Sequence, residues 1–340
     1  MNTNSRTALV LGITGGIGGE VARALLARGW RVRALHRRPG AVVGATGLGD
    51  AVEWIQGDAM CRDDVTKAAA GASVIVHAVN PPKYHDWAGL ALPMLENTIA
   101  AATAHRARVL FPGTIYNFGA DALPRLSEAS PQNPLTRKGR IRVRMEERLR
   151  TAAKQGARVL VVRAGDYFGP RAGNTWFSQG LLANQRKVRC VLYPGPRHLG
   201  HAWAYLPDLA DAMASLLEQD GRLADFEVFH FRGHWLARGA DMAEAACRAA
   251  GISRRRIYPF PWWCVRLAAP FVEVCREMLE MRYLWNTAAE LENTKLCRFI
   301  GPEPHTPLDE AVARSHDWSA GGSEADGAIE TRTKAAGQHS

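Results

Sequence analysis

The sequence predicts an α/β protein built on a doubly wound parallel sheet. Three observations predict it. Short apolar runs alternate with amphipathic helical stretches through the first half of the chain, a glycine-rich turn follows the first run directly, and beyond about residue 170 the alternation loosens into mixed elements. Strands joined by helices of this length pair in parallel through right-handed crossovers.

Thr7–Leu11 reads as the first strand. The helix after it covers 17–28, because Val21, Ala22, Leu25 and Leu26 recur at helical spacing, and Gly29 stops it. Strands two to four fall at 31–35, Val52–Gln56 and 73–78, with a helix over 63–70 before the last. A longer helix at 88–105 leads to strand five at 108–111, and a basic helix at 138–154 leads to strand six at 158–163. Gly173-Asn174-Thr175 then opens a helix, 189–193 and 226–231 read as strands, and 240–250 and 260–284 as helices. The stretch 319–340 is small, polar and free of aromatics, and reads as a disordered tail.

Of the 340 residues, 47% are hydrophobic and 22% charged, which excludes a mostly disordered chain. No stretch reaches the ~18 uninterrupted apolar residues of a membrane span; the most apolar helical run, 260–285, is broken by Arg266, Arg276 and several acids. The polar start runs straight into a strand-like segment, unlike a cleaved secretory signal. Cysteines 61, 190, 247, 264, 275 and 297 contain no C-x-x-C pair, the pattern of reduced thiols in a cytoplasmic protein. Much of the formal charge of +10 comes from 137–158, where nine Lys/Arg face Glu146 and Glu147. Arg140, Arg144 and Arg148 lie at i, i+4, i+8 and make a basic stripe. A solvated helix face is the plain reading, and a site for an acidic substrate or partner the sharper one. No DNA-binding motif surrounds the stripe, so no nucleic-acid partner is expected, and the lack of a spanning apolar stretch makes a membrane partner equally unexpected.

The strongest local signal is Gly12-Ile13-Thr14-Gly15-Gly16-Ile17-Gly18, a G-x-x-G-x-x-G directly after a strand and opening a helix. Glycines permit the tight turn, and missing Cβ atoms let backbone N–H groups approach a pyrophosphate. The helix N-terminus adds roughly half a positive charge. Gly12, Thr14, Gly15, Gly16, Ile17 and Gly18 are therefore candidate cofactor contacts. A carboxylate at the end of strand two would suit the ribose hydroxyls of NAD(H), whereas arginine accommodates a 2′-phosphate. Here His36-Arg37-Arg38 stands with no acid nearby, so NADP(H) is favoured over NAD(H). Asp58, followed by Ala59, is placed to accept from an adenine amino group; a loop aspartate capping the next residues is the plainer alternative.

Further ordered motifs follow: Gly57-Asp58 after strand three, His77-Ala78-Val79-Asn80 after strand four and Asn97-Thr98 in the fourth helix. Then come Arg163-Ala164-Gly165-Asp166-Tyr167-Phe168-Gly169-Pro170 after strand six, Tyr205-Leu206-Pro207-Asp208-Leu209-Ala210-Asp211-Ala212, and Leu308-Asp309-Glu310-Ala311. With the glycine turn, these resemble an extended short-chain dehydrogenase/reductase, the group that contains NAD-dependent epimerases and dehydratases, over nearly the whole chain to about Trp318. The resemblance implies a Rossmann-type doubly wound parallel sheet with a smaller C-terminal substrate lobe: a dinucleotide-binding domain over 1–170, to which 200–220 returns, a substrate lobe of 171–199 and 221–318, and a cleft between the two at the carboxyl ends of the strands. It adds Ala78, Val79, Asn80, Ala164 and Gly165 to the cofactor contacts. It also implies a homodimer through helices near 90–105 and 138–154, which the arginine stripe opposes unless Glu146, Glu147 or a bound anion offsets the repulsion.

The family carries a Ser/Thr after strand five, then Tyr-x-x-x-Lys at the start of the next helix; the tyrosine moves a proton to or from substrate, and the lysine lowers its pKa and binds the nicotinamide ribose. Thr114 fits the first element. Lys138 stands where the tyrosine belongs and Arg142 where the lysine belongs, and no other Tyr-x-x-x-Lys occurs. An arginine still hydrogen-bonds a ribose, but a pKa above about 12 keeps it from donating a proton near neutrality. Lys138 becomes a general acid if Arg142 and desolvation lower its pKa. Tyr116 faces the same cleft if the strand stays extended, as an alternative donor or positioning group. Tyr84, His85, Asp166 and Tyr167 lie on loops that reach the cleft and are candidate substrate contacts, although packing is the ordinary role of each taken singly.

His198 and His201 have metal-like spacing without a nearby ligand partner, so neutral loop histidines are the better reading and no metal is expected. Trp262, Trp263 and Trp285 line an apolar pocket or fill the C-terminal core, with core the weightier choice. The leading function is an NADP(H)-dependent oxidoreductase or epimerase/dehydratase-like enzyme acting on a small carbonyl or hydroxyl compound with non-standard proton transfer. The alternatives are a non-catalytic NADP(H)-binding sensor and a redox-neutral isomerase or lyase that keeps its cofactor bound.

Overall fold

Apolar runs that are buried on both faces need helices above and below them, and that is the architecture adopted. The structure, a computed structural model, describes residues 6–81 and 87–318. The strands in chain order are β1 (Thr7–Leu11), β2 (Arg31–His36), β3 (Val52–Gln56), β4 (Val74–His77), β5 (Arg108–Thr114), β6 (Arg125–Leu126), β7 (Arg158–Ala164), β8 (Asp166–Phe168), β9 (Val191–Tyr193), β10 (His201–Tyr205), β11 (Phe226–His230), β12 (His234–Leu236), β13 (Ile257–Pro259) and β14 (Glu290–Leu291). The helices are α1 (Gly16–Ala27), α2 (Val43–Thr46), α3 (Arg62–Ala68), α4 (Trp87–His105), α5 (Arg137–Lys154), α6 (Leu206–Glu218), α7 (Ala240–Ala249), α8 (Trp262–Ala268), α9 (Glu273–Met281), α10 (Thr294–Ile300) and α11 (Leu308–Ala313).

Seven strands pair in parallel in the order β11-β7-β5-β4-β1-β2-β3. Alternate side chains feed two layers. Val10, Val76 and Leu160 pack with Val21, Leu25, Leu209 and Leu296 of α1, α6 and α10. Leu9, Ile75, Val109 and Val161 pack with Val65, Leu95, Ile141 and Met145 of α3, α4 and α5. The chain leaves β1 toward β2 on one side and later crosses to β4 on the other, so the carboxyl ends of β1 and β4 flank a switch point, the usual ligand crevice of such sheets.

The lobe is built from the sheet β12-β10-β8 and the pair β13-β9, around a core that includes Phe168, Phe177, Trp203, Tyr205 and Trp285. Three expectations change. Phe226–His230 is the edge strand of the main sheet, paired in parallel with β7, because Phe229 and Phe231 fill the same layer as Leu160 and Leu296; the lobe segment expected over 221–318 thus begins with a return to the first domain. The single helix expected over 260–284 is two, α8 and α9. Pro270 lacks an N–H and cannot continue a helix, and the chain turns there with Phe271 N and Val272 N both donating to Ala268 O at 3.0 and 2.9 Å. The helix after Gly173-Asn174-Thr175 is one π-helical stretch, Trp176–Leu181, opened by a reciprocal Thr175–Ser178 capping box. The expected tail over 319–340 lies outside the described residues. No helix among those described is long and apolar enough to cross a membrane.

Candidate active site

The glycine turn needs its glycines for two different reasons. Gly12 has φ +88°, and a Cβ there would sit 2.5 Å from Ala78 O, so the β1 and β4 ends touch backbone to backbone. Gly15 N donates to Gly12 O at 3.0 Å and α1 starts at the next residue. Gly16 and Gly18 serve close packing: a Cβ on Gly16 would meet Leu206 Cδ1 at 2.8 Å, and one on Gly18 would overlap Gly12. Thr14 and Gly15 are exposed in the crevice, whereas Ile17 and Gly18 are buried. No acidic residue occupies the first turn of α1, which leaves its dipole open to an anion.

His36 closes β2, its Nδ1 accepting from Arg38 N at 3.1 Å. Arg37 and Arg38 are exposed, with no ion pair to a carboxylate among the described residues. Asp58 caps its loop: Oδ1 accepts from Met60 N at 3.0 Å. Ala59 O accepts from Asn97 Nδ2 at 3.0 Å. This cradle fits a pyridine dinucleotide: it has a Cβ-free approach at Gly12 and a helix N-terminus with no acidic residue in its first turn.

Beside it lies a cavity of about 270 Å³ that brings together Asn80, Thr114, Tyr116, Lys138, Arg142, Ala164, Gly165, Asp166 and Tyr167. β5 ends at Thr114, whose Oγ1 caps a 3₁₀ turn by accepting from Tyr116 N at 3.4 Å. Tyr116 therefore reaches the cavity from that turn rather than along an extended strand. α5 begins behind Thr136, whose hydroxyl accepts from Gly139 N at 2.9 Å, and its positions 138 and 142 fall on one face. Arg142 Nη2 donates to Asn80 Oδ1 at 3.2 Å, and its guanidinium stands 5.5 Å from the Phe111 ring centroid. Buried Lys138 places Nζ 2.7 Å from Oε2 of Glu277 on α9.

A dry polar network fixes this constellation from behind. Arg163, fully buried, donates to Glu146 Oε2 at 2.8 Å and to Thr114 O at 2.7 Å. Asn117 Nδ2 donates to Glu146 Oε1 at 2.9 Å. Glu146 is thus committed inward and does not offset the α5 arginine stripe. Arg163 Nε also donates to His230 Nε2 at 3.3 Å, while His230 Nδ1 meets Leu126 O at 3.2 Å, which fixes the neutral tautomer. Burial, then Arg163, push His230 down to about 3. His77, matched in the strand-four motif, meets Thr98 Oγ1 through Nδ1 at 2.8 Å; burial and Arg142 push it to about 3. Burial also pushes the Tyr167 phenol up to about 12, with Arg142 opposing, so it stays a neutral donor, 3.4 Å from Gly113 O.

His201 is not a loop residue. It opens β10, is buried, and bonds Asp166 Oδ2 through Nε2 at 2.8 Å, with its ring stacked on Trp285 at 4.1 Å. His198 stays exposed. Trp262 and Trp285 pack in the lobe as expected, whereas Trp263 faces outward. Tyr84 and His85 lie outside the described residues. Sequence reasoning missed Glu277, together with Trp176, Val274, Met278 and Met281, which close the cavity from the lobe.

The fold and this crevice define a dinucleotide-dependent enzyme of the doubly wound class. Residues 8–229 match the NAD dependent epimerase/dehydratase family, and the chain belongs to that family. A stretch of 71 residues is 44% identical to Sterol demethylase protein B of Methylococcus capsulatus, covering 21% of each chain, so this chain spans about a fifth of that relative's length. Over 207 residues it is 26% identical to Protein YeeZ of Escherichia coli (strain K12), covering 60% of this chain and 70% of that one. Among solved structures, gox2253 superposes with a TM-score of 0.71 at 20% identity over 93% of this chain and 98% of its own. UDP-glucuronic acid 4-epimerase from Bacillus cereus, in complex with UDP-glucuronic acid and NAD, gives 0.72 at 15% identity over 92% and 98%. Those two superpositions establish the fold.

Proposed function

We propose that this family member is an NADP(H)-dependent oxidoreductase whose substrate is an apolar compound bearing one hydroxyl or carbonyl. The observation that carries the reading is the mixed lining of the cavity. Thr114, Tyr116, Lys138 and Glu277 share it with Ile115, Trp176, Val274, Met278 and Met281, while Asn174, Thr175 and Gln179 are the polar groups around Trp176. An apolar skeleton is desolvated by those five apolar side chains, which offer no partner to the hydroxyls and phosphates of a nucleotide sugar. The name of the sterol demethylase relative agrees with such a substrate.

In this reading Gly12, Thr14 and Gly15 cradle the pyrophosphate, Arg37 and Arg38 hold the 2′-phosphate, and Arg142 binds the nicotinamide ribose. The bound nicotinamide supplies or takes up a hydride at the substrate carbon. Lys138 Nζ gives a proton to the substrate oxygen during reduction or receives it during oxidation, with Glu277 holding the ammonium in place; Thr114 and Tyr116 orient that oxygen. The test is NADPH oxidation against a panel of apolar ketones and of nucleotide sugars. Turnover confined to the ketones is expected, and turnover confined to the sugars overturns the substrate class.

A further inference from the structure

We propose that the α8–α9 hairpin seats this protein on an anionic phospholipid surface, with α9 serving both as docking face and as cavity wall. The surface docking stands apart from the redox reading; only the idea that substrate enters from the bilayer rests on it.

α8 carries apolar side chains on both of its sides, with Arg266 its one charge, yet only one side is covered. Val265 and Ala269 are buried, and Trp262 is anchored through Nε1 to Pro194 O at 2.7 Å. The other side carries Trp263 and Leu267, one turn apart and each 68% exposed, and the turn beyond carries Phe271 at 88%. Val272 and Val274 continue the patch onto α9. An exposed apolar surface of this kind marks an interaction site.

The charge around the patch selects the partner. Between residues 253 and 282 there are six arginines and three glutamates, and Glu277 and Glu280 are engaged by Lys138 Nζ and Arg137 N. Arg266 is exposed on α8, and Arg276 folds onto the hairpin turn, donating to Ala269 O at 3.3 Å and Pro270 O at 3.4 Å. α5 joins the far end of α9 where Arg137 N donates to Glu280, and exposed Leu135 just before α5, with Arg137 and Arg140 on it, come to that edge. Aromatic and aliphatic side chains at the tip of a segment with net positive charge are the composition of an element lying in the headgroup region of an anionic leaflet. Arg140 of the α5 stripe thereby gains a role.

Val274 links surface to site, being partly exposed in the patch and also part of the cavity wall. An apolar substrate can pass from the bilayer along α9 without crossing water. The sequence-based expectation of no membrane partner rested on the lack of a spanning segment, which interfacial docking does not need.

Co-sedimentation of the full chain with vesicles tests this, using phosphatidylcholine with phosphatidylglycerol in equal parts, and phosphatidylcholine alone. Binding is expected to the anionic vesicles and to be weaker by about tenfold or more to the neutral ones. The combined variant W263S/L267S/F271S, whose changes all lie at exposed positions, is expected to lose about tenfold or more in binding with an unchanged melting temperature. Wild-type protein left in the supernatant with anionic vesicles overturns the proposal. So does a variant that sediments as well as wild type. A wild-type dimer that the same substitutions dissociate, with no vesicle binding, also overturns it by assigning the face to a second copy of the chain.

Discussion

Lys138 Nζ lies 2.7 Å from Oε2 of Glu277. The lysine proposed to move the substrate's proton is thus tied to a carboxylate from the C-terminal lobe, so the two halves of the protein meet beside the cavity. Arg142, one turn along α5, reaches back to Asn80 at the end of β4. The altered signature is therefore a connected arrangement.

Lys138→Ala removes the proposed proton donor. General acid–base catalysis is worth about 10²–10⁴-fold, so kcat should fall by that order while NADPH affinity stays within about twofold, since the group acts on substrate rather than on the dinucleotide. Steady-state kinetics beside calorimetry check this. An unchanged kcat removes Lys138 from the chemistry, and Tyr116→Phe then tests the remaining donor.

Glu277→Gln keeps the shape of the pair and removes its charge. A smaller loss of kcat than in Lys138→Ala is expected, because the amine remains but loses the carboxylate that holds it in place. Steady-state kinetics report it; a kcat equal to that of wild type contradicts the coupling.

Arg37→Ala and Arg38→Ala should weaken NADPH and spare NADH. A charge-assisted hydrogen bond contributes about 1.5–3 kcal/mol, roughly tenfold or more in Kd for each guanidinium that reaches the phosphate. Equal losses for both coenzymes would place the arginines elsewhere.

Three histidines are held neutral by burial: His77 and His230 at about 3 and His234 at about 4, against an ordinary 6.5. Their folded values are depressed, so the unfolded chain binds more protons below pH 6.5. Their contribution is full above that pH and is lost as pH falls toward 4 and 3. Each should add a slope of about 1.4 kcal/mol per pH unit within the window. Urea unfolding from pH 7 to 5, compared with His230→Gln, should show the slope reduced by one such increment.

The nucleotide-binding half was legible because its signals are local: short continuous apolar runs, helical stripes, and a glycine turn whose steric need at Gly12 is written in three consecutive elements. Thr114, Lys138 and Arg142 were found through the order of motifs along the chain. Glu277 and the Asp166–His201 bond join segments far apart in sequence, and such pairing leaves no trace in local spacing. β11 was assigned to the wrong domain because a five-residue strand does not name its neighbour. Pro270, by contrast, did carry a readable stop signal inside the expected 260–284 helix. The outward turn of Trp263 was hidden because α8 is apolar on both faces, so periodicity cannot say which face is covered.

The account rests on a pyridine dinucleotide lying across the carboxyl ends of β1 and β4. Calorimetric titration of the purified chain with NADPH and NADH tests it most directly. Saturable heat with NADPH, weaker with NADH and abolished by Gly12→Val, is the predicted result; a folded wild-type protein that gives heat with neither coenzyme would contradict it.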